Sequence, residues 1–315
     1  MLIHAGSCAH RLYVCLLSQA HPEVKTLMGH EWRTKYIVLA LVAAHVYLGW
    51  VSQHLSWPAY LFATYFFGAT MTQALFLGIH EISHNLAFKT PKYNRWLAIF
   101  ANLPIVFPYA AVFRPYHLDH HKFQGIDGID TDIPCRHECS FVRGTASKIA
   151  WACCQILAYA LRPCIVAPFE FNRTVALNYA VQLSYDAFVL WAWGWQPLAF
   201  HFLCILVAGG LHPCAGHFIS EHYVFPHLSG TQETYSYYGP LNWLTWNVGY
   251  HNEHHDFPFV PWSRLPALRR IAHEHYDNLA QCDSWIGVIY SYIVRPEVGP
   301  FARVKRTNEY MGKLE

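Results

Sequence analysis

Charge is scarce in this sequence. Acidic and basic residues together make up 13% of 315 residues, about half of the roughly 25% usual for a soluble domain. The net charge of +2 with histidine neutral gives no basic stripe for nucleic acid and no acidic tail. No CxxC pair has zinc-finger spacing, and the ten cysteines, several inside apolar segments, are expected to be reduced. There are no internal repeats and no low-complexity segments. A CxxCH haem-attachment site is missing, and so is an HPGG-like haem-domain motif; "HPEV" at His21 and "HPCA" at His212 do not supply one. The first residues lack a basic start, so no signal peptide is expected. Leu2 stands where N-myristoylation needs glycine.

What is present is apolar: 54% hydrophobic and 17% aromatic residues. Four segments approach the ~20 apolar residues that cross a bilayer, at about Tyr36–Val51, Trp57–Ile79, Thr174–Trp193 and Pro197–Ala215. His45, inside the first, is expected to face other helices or to sit near an edge, and carries no metal role. Two weaker stretches are expected to lie in the interface or inside protein. Leu97–Phe113 is interrupted by Pro104 and Pro108, and Ile149–Ala167 carries Gln155, Arg162 and Pro163. The links between spans, "SQHLS" and "GWQ", contain no Lys or Arg, so all 22 basic residues fall on one side with both termini. The positive-inside rule makes that side cytosolic. The expected fold is an all-α integral membrane protein of four transmembrane helices. An N-terminal cytosolic segment, 1–35, precedes a membrane domain, 36–315, whose cytosolic helical cap comprises 80–173 and 216–315.

The 22 histidines are clustered. "HEISH" (His80, His84) reads as H-E-x-x-H, a zinc-protease signature. "HLDHH" (His117, His120, His121) and "HNEHH" (His251, His254, His255) follow. Spacings of i, i+3 and i+4 put each set on one helical face. One HxxxH pair is weak evidence; three clusters on one membrane face point to a metal centre. A catalytic zinc uses three protein ligands and would leave both HxxHH clusters unexplained. Eight imidazoles suit two metal ions, and imidazole with open positions suits iron and oxygen chemistry. Glu81 is then read as orienting a ligand imidazole rather than as a protease base. In "LHPCAGHFISEH", His222 is a ninth ligand candidate and His217 a hydrogen-bonding one, while His212 reads equally as a helix-end residue. Asp119, Asp127, Asp130, Asp132, Glu221, Glu253 and Asp256 surround the clusters as candidate partners for the imidazoles.

These boxes resemble the membrane-bound fatty-acyl desaturase and hydroxylase superfamily. "HEISHNLAF", "NRWLAIFANLP", "YHLDHHKFQGIDGIDTDIP", "GHFISEHYVF" and "ETYSYYGPLNWLTWNVGYHNEHHDFP" are similar to the sphingolipid Δ4-desaturases. The similarity runs from about His21 to the C-terminal region; Met1–Ala20 match poorly and read as a divergent start. The resemblance implies a non-haem centre of two iron ions, O2 as co-substrate and residence in the endoplasmic-reticulum membrane. It also implies electrons from cytochrome b5 and its NADH-dependent reductase, and dihydroceramide as the substrate that gains a trans C4=C5 bond. The competing readings are a C4-hydroxylase on the same lipid, an intramembrane zinc protease, and a lipid carrier. Tyr235, Tyr237, Tyr238, Trp243 and Trp246 are candidates for an acyl tunnel or ordinary core and interface aromatics. Arg264, Arg269, Arg270, Lys305 and Arg306 are candidates for docking a haem protein or ordinary positive-inside charge.

Overall fold

The computed structural model describes residues 8–307, apart from the side chains of residues 8, 9 and 11. The described residues are helical, with only three isolated β-bridges. Helix α1 (Cys8–Ala20) buries Leu17 in a cluster with Phe257, Val260, Leu268 and Tyr276. His10 Nε2 lies 2.8 Å from Asp256. The segment that matched poorly in sequence is thus packed onto the third histidine box; residues 1–7 lie outside the described residues.

Helix α2 (Arg33–Ser52) starts beside buried Glu31, which accepts from the Arg33 backbone N–H at 3.1 Å and from its guanidinium at 2.7 Å. A carboxylate there complements the positive helix end. Helix α3 (Trp57–Ser83) carries one π-type turn at Thr64–Gly68. At that turn a Cβ on Gly68 would meet Cys204 Sγ at 2.3 Å, so glycine permits the contact. Twenty-seven residues at 1.5 Å each give about 40 Å, longer than a ~30 Å hydrocarbon core. The helix is thus long enough to cross and still extend by about two turns, and His80 and the cap residue His84 stand at its C-terminal end.

Helices α4 (Pro91–Ala101) and α5 (Ala110–Phe123) divide the Leu97–Phe113 stretch. Buried Asn102 holds the reversal: its Oδ1 accepts from Tyr109 and Ala110 N–H, and its Nδ2 donates to Phe107 O and Gln182 Oε1. This stretch turns back rather than crossing. Helix α6 (Thr145–Val166) follows, then α7 (Arg173–Trp193), capped by Asn172 Oδ1 on the N–H groups of Thr174 and Val175. Gly194 (φ 84°) breaks α7 and opens α8 (Trp195–Ala208).

Among the described residues three helices, α2, α3 and α6, are long and apolar enough to cross a membrane; α8 with Pro213–Ser220, across a 44° bend, makes a fourth candidate. The expected spans at 36–51, 57–79 and 197–215 fall on α2, α3 and this pair. The span expected at 174–193 falls on α7, which does not qualify by apolar character. Asn178 accepts there from Ala111 N–H, and Gln182 donates to Leu103 O and Asp186. These polar side chains serve neighbouring protein. Helix α6, expected in the interface, qualifies by composition, yet one end is tied to the C-terminal segment at 295–298 and the other to the segment after the second histidine box. Lys148 Nζ donates to Arg295 O at 2.6 Å and to Val298 O. Arg162 donates to both oxygens of Glu138, at 2.7 and 2.9 Å, and to Asp132 O. His45 packs as expected: its Nε2 lies 2.8 Å from Thr72 Oγ1 on α3, and its Nδ1 lies 3.1 Å from His201 Nδ1 on α8.

Burial would raise the Glu138 carboxyl, but the hydrogen bonds and charge of Arg162 hold it at about 2 against 4.5. The pair's contribution is complete above the unfolded value and is lost as pH falls through about 2. Glu138→Gln leaves the 2%-exposed Arg162 unpaired and should cost about 3–5 kcal/mol. Glu138→Gln with Arg162→Met should recover most of that loss in thermal unfolding of the purified protein.

Candidate metal centre

The C-terminal end of α3 presents His80 and, as its cap, His84; the last two turns of α5 present His117, His120 and His121, and helix α9 (His251–Asp256) presents His251, His254 and His255. His222 follows the bent end of α8. These segments converge into two groups. Ligand nitrogens of His80, His84, His117, His121 and His254 lie within 4.8 Å of one another, as do those of His120, His222 and His255. His251 joins the second group, its Nε2 lying 2.9 Å from His222 Nε2. Within the first, His84 Nε2 is 2.7 Å from His117 Nε2, and His121 Nε2 is 3.1 Å from both His117 and His254 Nε2. Such separations match the roughly 3 Å edges of a polyhedron with ~2.1 Å metal–nitrogen bonds.

Each HxxHH helix serves both groups. On α5, His117 and His121 (i, i+4) face the first and His120 faces the second. On α9, His254 faces the first while His251 and His255 face the second. The groups touch where the His121 and His255 rings stack at 4.2 Å. His251, starting the short helix α9, sets its Nε2 on His222.

Burial, reinforced by crowding among the rings, pushes His117, His121, His222, His254 and His255 well below the usual imidazole range. Burial also brings His251 down to about 4. Neutral imidazole is the form that ligates a metal. Both ring nitrogens of His255 are buried without a protein partner, a costly state that a cation would relieve. Burial would lower His120 as well, but the carboxylates of Asp130 and Asp132 raise it; the all-imidazole donor set fits a transition metal.

Two carboxylates address the rings. Buried Asp130 lies 3.1 Å from His120 Nδ1 and accepts from the N–H groups of Gly125 and Asp132. Burial would raise its carboxyl, but His120 and these donors hold it below the ordinary range. Glu221 lies 3.0 Å from His217 Nδ1 and 3.7 Å from His251 Nδ1. Asp132 is farther from His120, at 4.0 Å. Glu253 accepts from Ser236 and Tyr238, Asp256 meets His10 and Tyr276, Asp127 pairs with Lys305, and Asp119 is exposed. Glu81 departs from the sequence expectation: it accepts the Trp262 backbone N–H at 3.2 Å, where the loop after α9 folds over α3, instead of orienting an imidazole. His212 sits apart, 3.3 Å from Thr70 Oγ1. Sequence reasoning passed over Gln124, whose amide lies 3.3 Å from His222 Nδ1; its position four residues after His120 on one helical face was the available signal.

The aromatic candidates divide. Tyr235 and Tyr237 are core, Tyr237 stacking on Trp285 at 4.3 Å; Trp243 is 92% exposed. Trp246 donates to Ala74 O on α3 and, with His80 and His254, lines a cavity of about 10 Å³, on the order of one water.

The fatty acid desaturase family model matches residues 55–283. A sphingolipid delta(4)-desaturase of Oryza sativa subsp. japonica is 50% identical over 91% of this chain and 86% of its own. One of Drosophila melanogaster is 47% identical over 92% and 90%. A sphingolipid delta(4)-desaturase/C4-monooxygenase of Homo sapiens is 47% identical over 91% and 88%. The chain belongs to the sphingolipid delta(4)-desaturase family, within the fatty acid desaturases. It is thus an oxidoreductase of a family whose members are typically iron-dependent. In this desaturase the buried imidazole groups lie inside the matched segment.

Removing a carboxylate that orients a ligand typically costs 10–100-fold in metal affinity. Asp130→Asn and Glu221→Gln should each show that loss in chelator titration followed by metal analysis. Asp119→Asn, at an exposed position, should match the parent.

Proposed function

We propose that this protein is a sphingolipid Δ4-desaturase that introduces a trans C4=C5 double bond into the sphingoid base of dihydroceramide. The carrying observation is the gathering of nine imidazoles, seven of them buried, into a group of five and a group of four, each drawing on both HxxHH helices. In this reading His80, His84, His117, His121 and His254 hold one iron ion, and His120, His222, His251 and His255 hold the other. When bound, such a pair activates O2 so that hydrogen can be removed from an unactivated methylene. The chain's own part is to hold the imidazoles neutral, fix their orientation through Asp130, Glu221 and Gln124, and keep the reacting carbon away from water. Reduction of O2 to two waters takes two hydrogens from the lipid and two electrons and two protons from outside. The chain has no haem motif, so the electrons come from a separate protein, cytochrome b5 served by its NADH-dependent reductase.

Basic residues are the natural dock for that acidic partner, but most of the candidates are already engaged. Arg264 donates to the Leu27 and His30 carbonyls, Arg269 meets Asp277 and lies 3.5 Å over the Tyr238 ring, Lys305 pairs with Asp127, and Arg306 pairs with Glu233. Arg270 is left as the candidate for the dock.

The topology proposed is one membrane domain, 36–315, with spans about 36–51, 57–79, 174–193 and 197–215. Helix α6 lies along the surface, and the cap, both termini and the metal centre face the cytosol at the endoplasmic-reticulum membrane. A single-zinc protease fits poorly, because one imidazole group would have no purpose and Glu81 is bonded to Trp262 N–H. A lipid carrier would need neither group. A second reading is C4-hydroxylation of the same lipid. It is favoured by the bifunctional human relative at 47% identity; both outcomes use one oxidant and differ in where the carbon sits.

The test is expression of the chain, beside His254→Ala, in a host making only saturated ceramides, with sphingoid bases read by mass spectrometry. Loss of two hydrogens at C4–C5, abolished in the variant, is the expected result. One added oxygen at C4 would establish the hydroxylase, and no change with cytochrome b5 supplied would overturn the substrate assignment.

A further inference from the structure

Behind the first two histidine boxes lies a second polar site. A cavity of about 170 Å³ opens between α3, α4, α5 and the start of α7, with Ser83, Asn94, Arg95, Arg114, Asn172 and Thr174 among its lining. Drug-sized ligands fill roughly 300–1,000 Å³, so this space suits a headgroup fragment. Two guanidinium groups enter it, and no Asp or Glu among the described residues lines it. Each makes one hydrogen bond: Arg114 Nε donates to Ser83 O at 3.0 Å, and Arg95 Nη1 donates to Asn85 Oδ1 at 2.7 Å. Burial lowers the affinity of both for their proton, and the charge of Arg95 adds to the effect on Arg114.

Simple charge counting shows the imbalance. The C-terminal end of α3 offers the arginines about half a negative charge, and the start of α7, also at the cavity, brings about half a positive one. The helix ends cancel, leaving the cavity near two full positive charges. Half-buried like charges without a counterion are unfavourable. A phosphate monoester carries about −1.5 to −2 at neutral pH and presents the planar oxygen pairs that guanidinium groups bind.

The surroundings indicate where the phosphate comes from. Next to Arg95 on α4, Tyr93 and Trp96 are exposed, and Lys92 Nζ lies 4.6 Å from the Trp96 ring. Exposed Trp and Tyr with lysine is the pattern of a helix at the headgroup level of a bilayer. We propose that the Arg95–Arg114 cavity binds the phosphate of an anionic phospholipid headgroup beside the metal centre. The bound lipid is a membrane component separate from the sphingolipid that reacts, and its binding does not depend on turnover.

The test is native mass spectrometry and lipid titration of the purified full-length protein with phosphatidic acid, phosphatidylcholine and inorganic phosphate. The protein should retain phosphatidic acid over phosphatidylcholine, and Arg95→Gln with Arg114→Gln should weaken retention by at least about tenfold. Since that variant also removes two bonds at the end of α3, Asn172→Asp is the decisive companion. Aspartate caps a helix as well as asparagine does, so α7 persists while a negative charge enters the cavity. It should weaken retention comparably at unchanged thermal stability. Displacement of phosphatidic acid by inorganic phosphate supports the phosphate as the recognised group. Phosphate binding without phosphatidic acid retention overturns the lipid source. Equal binding of both lipids, or variants that bind phosphatidic acid like the parent, overturns the site.

Discussion

Nine imidazoles crowded against one another, seven of them buried and most of them pushed toward the neutral form by exclusion from water, form the constraint on which the other elements depend. Neutral rings with nitrogens 2.7–3.1 Å apart cannot all find donors and acceptors among themselves. His255, with both nitrogens unpartnered, shows the deficit most plainly. A cation among such rings would relieve this crowding.

Most of the helical architecture serves to bring those rings to one place. Helix α3, 27 residues long, carries the first histidine box at its C-terminal end. The Asn102 reversal returns α5 beside α3, so the second box meets the first. Trp246 donates to a carbonyl in the middle of α3, and Glu81 takes the Trp262 N–H, pinning the loops on either side of α9 to the same helix. The α1 segment closes from the other side through Leu17 and His10. Arg162 and Lys148 fasten α6 along this assembly. A polar hydrogen-bonded frame thus fixes the apolar helices against the site.

The box histidines were legible in the sequence because i, i+3 and i+4 spacing is a local property of a helix. Their division was not: sending His120 one way and His117 and His121 the other depends on where His222 and α9 arrive. Glu81 was misread for the same reason, since its partner lies 181 positions along the chain. The reversal at Asn102 was legible through Pro104 and Pro108. The apolar ranking of α6 over α7 was not, because α7 spends Asn178 and Gln182 on neighbouring protein. His45 was readable as a helix-contact residue because a lone histidine in an apolar run has little else to bond.

The most direct test is the metal content of the purified chain, with Mössbauer spectra of protein grown on iron-57. The account predicts two irons per chain in a coupled pair, falling toward one when His255 is replaced by alanine. One zinc per chain, or a single uncoupled iron, would contradict it.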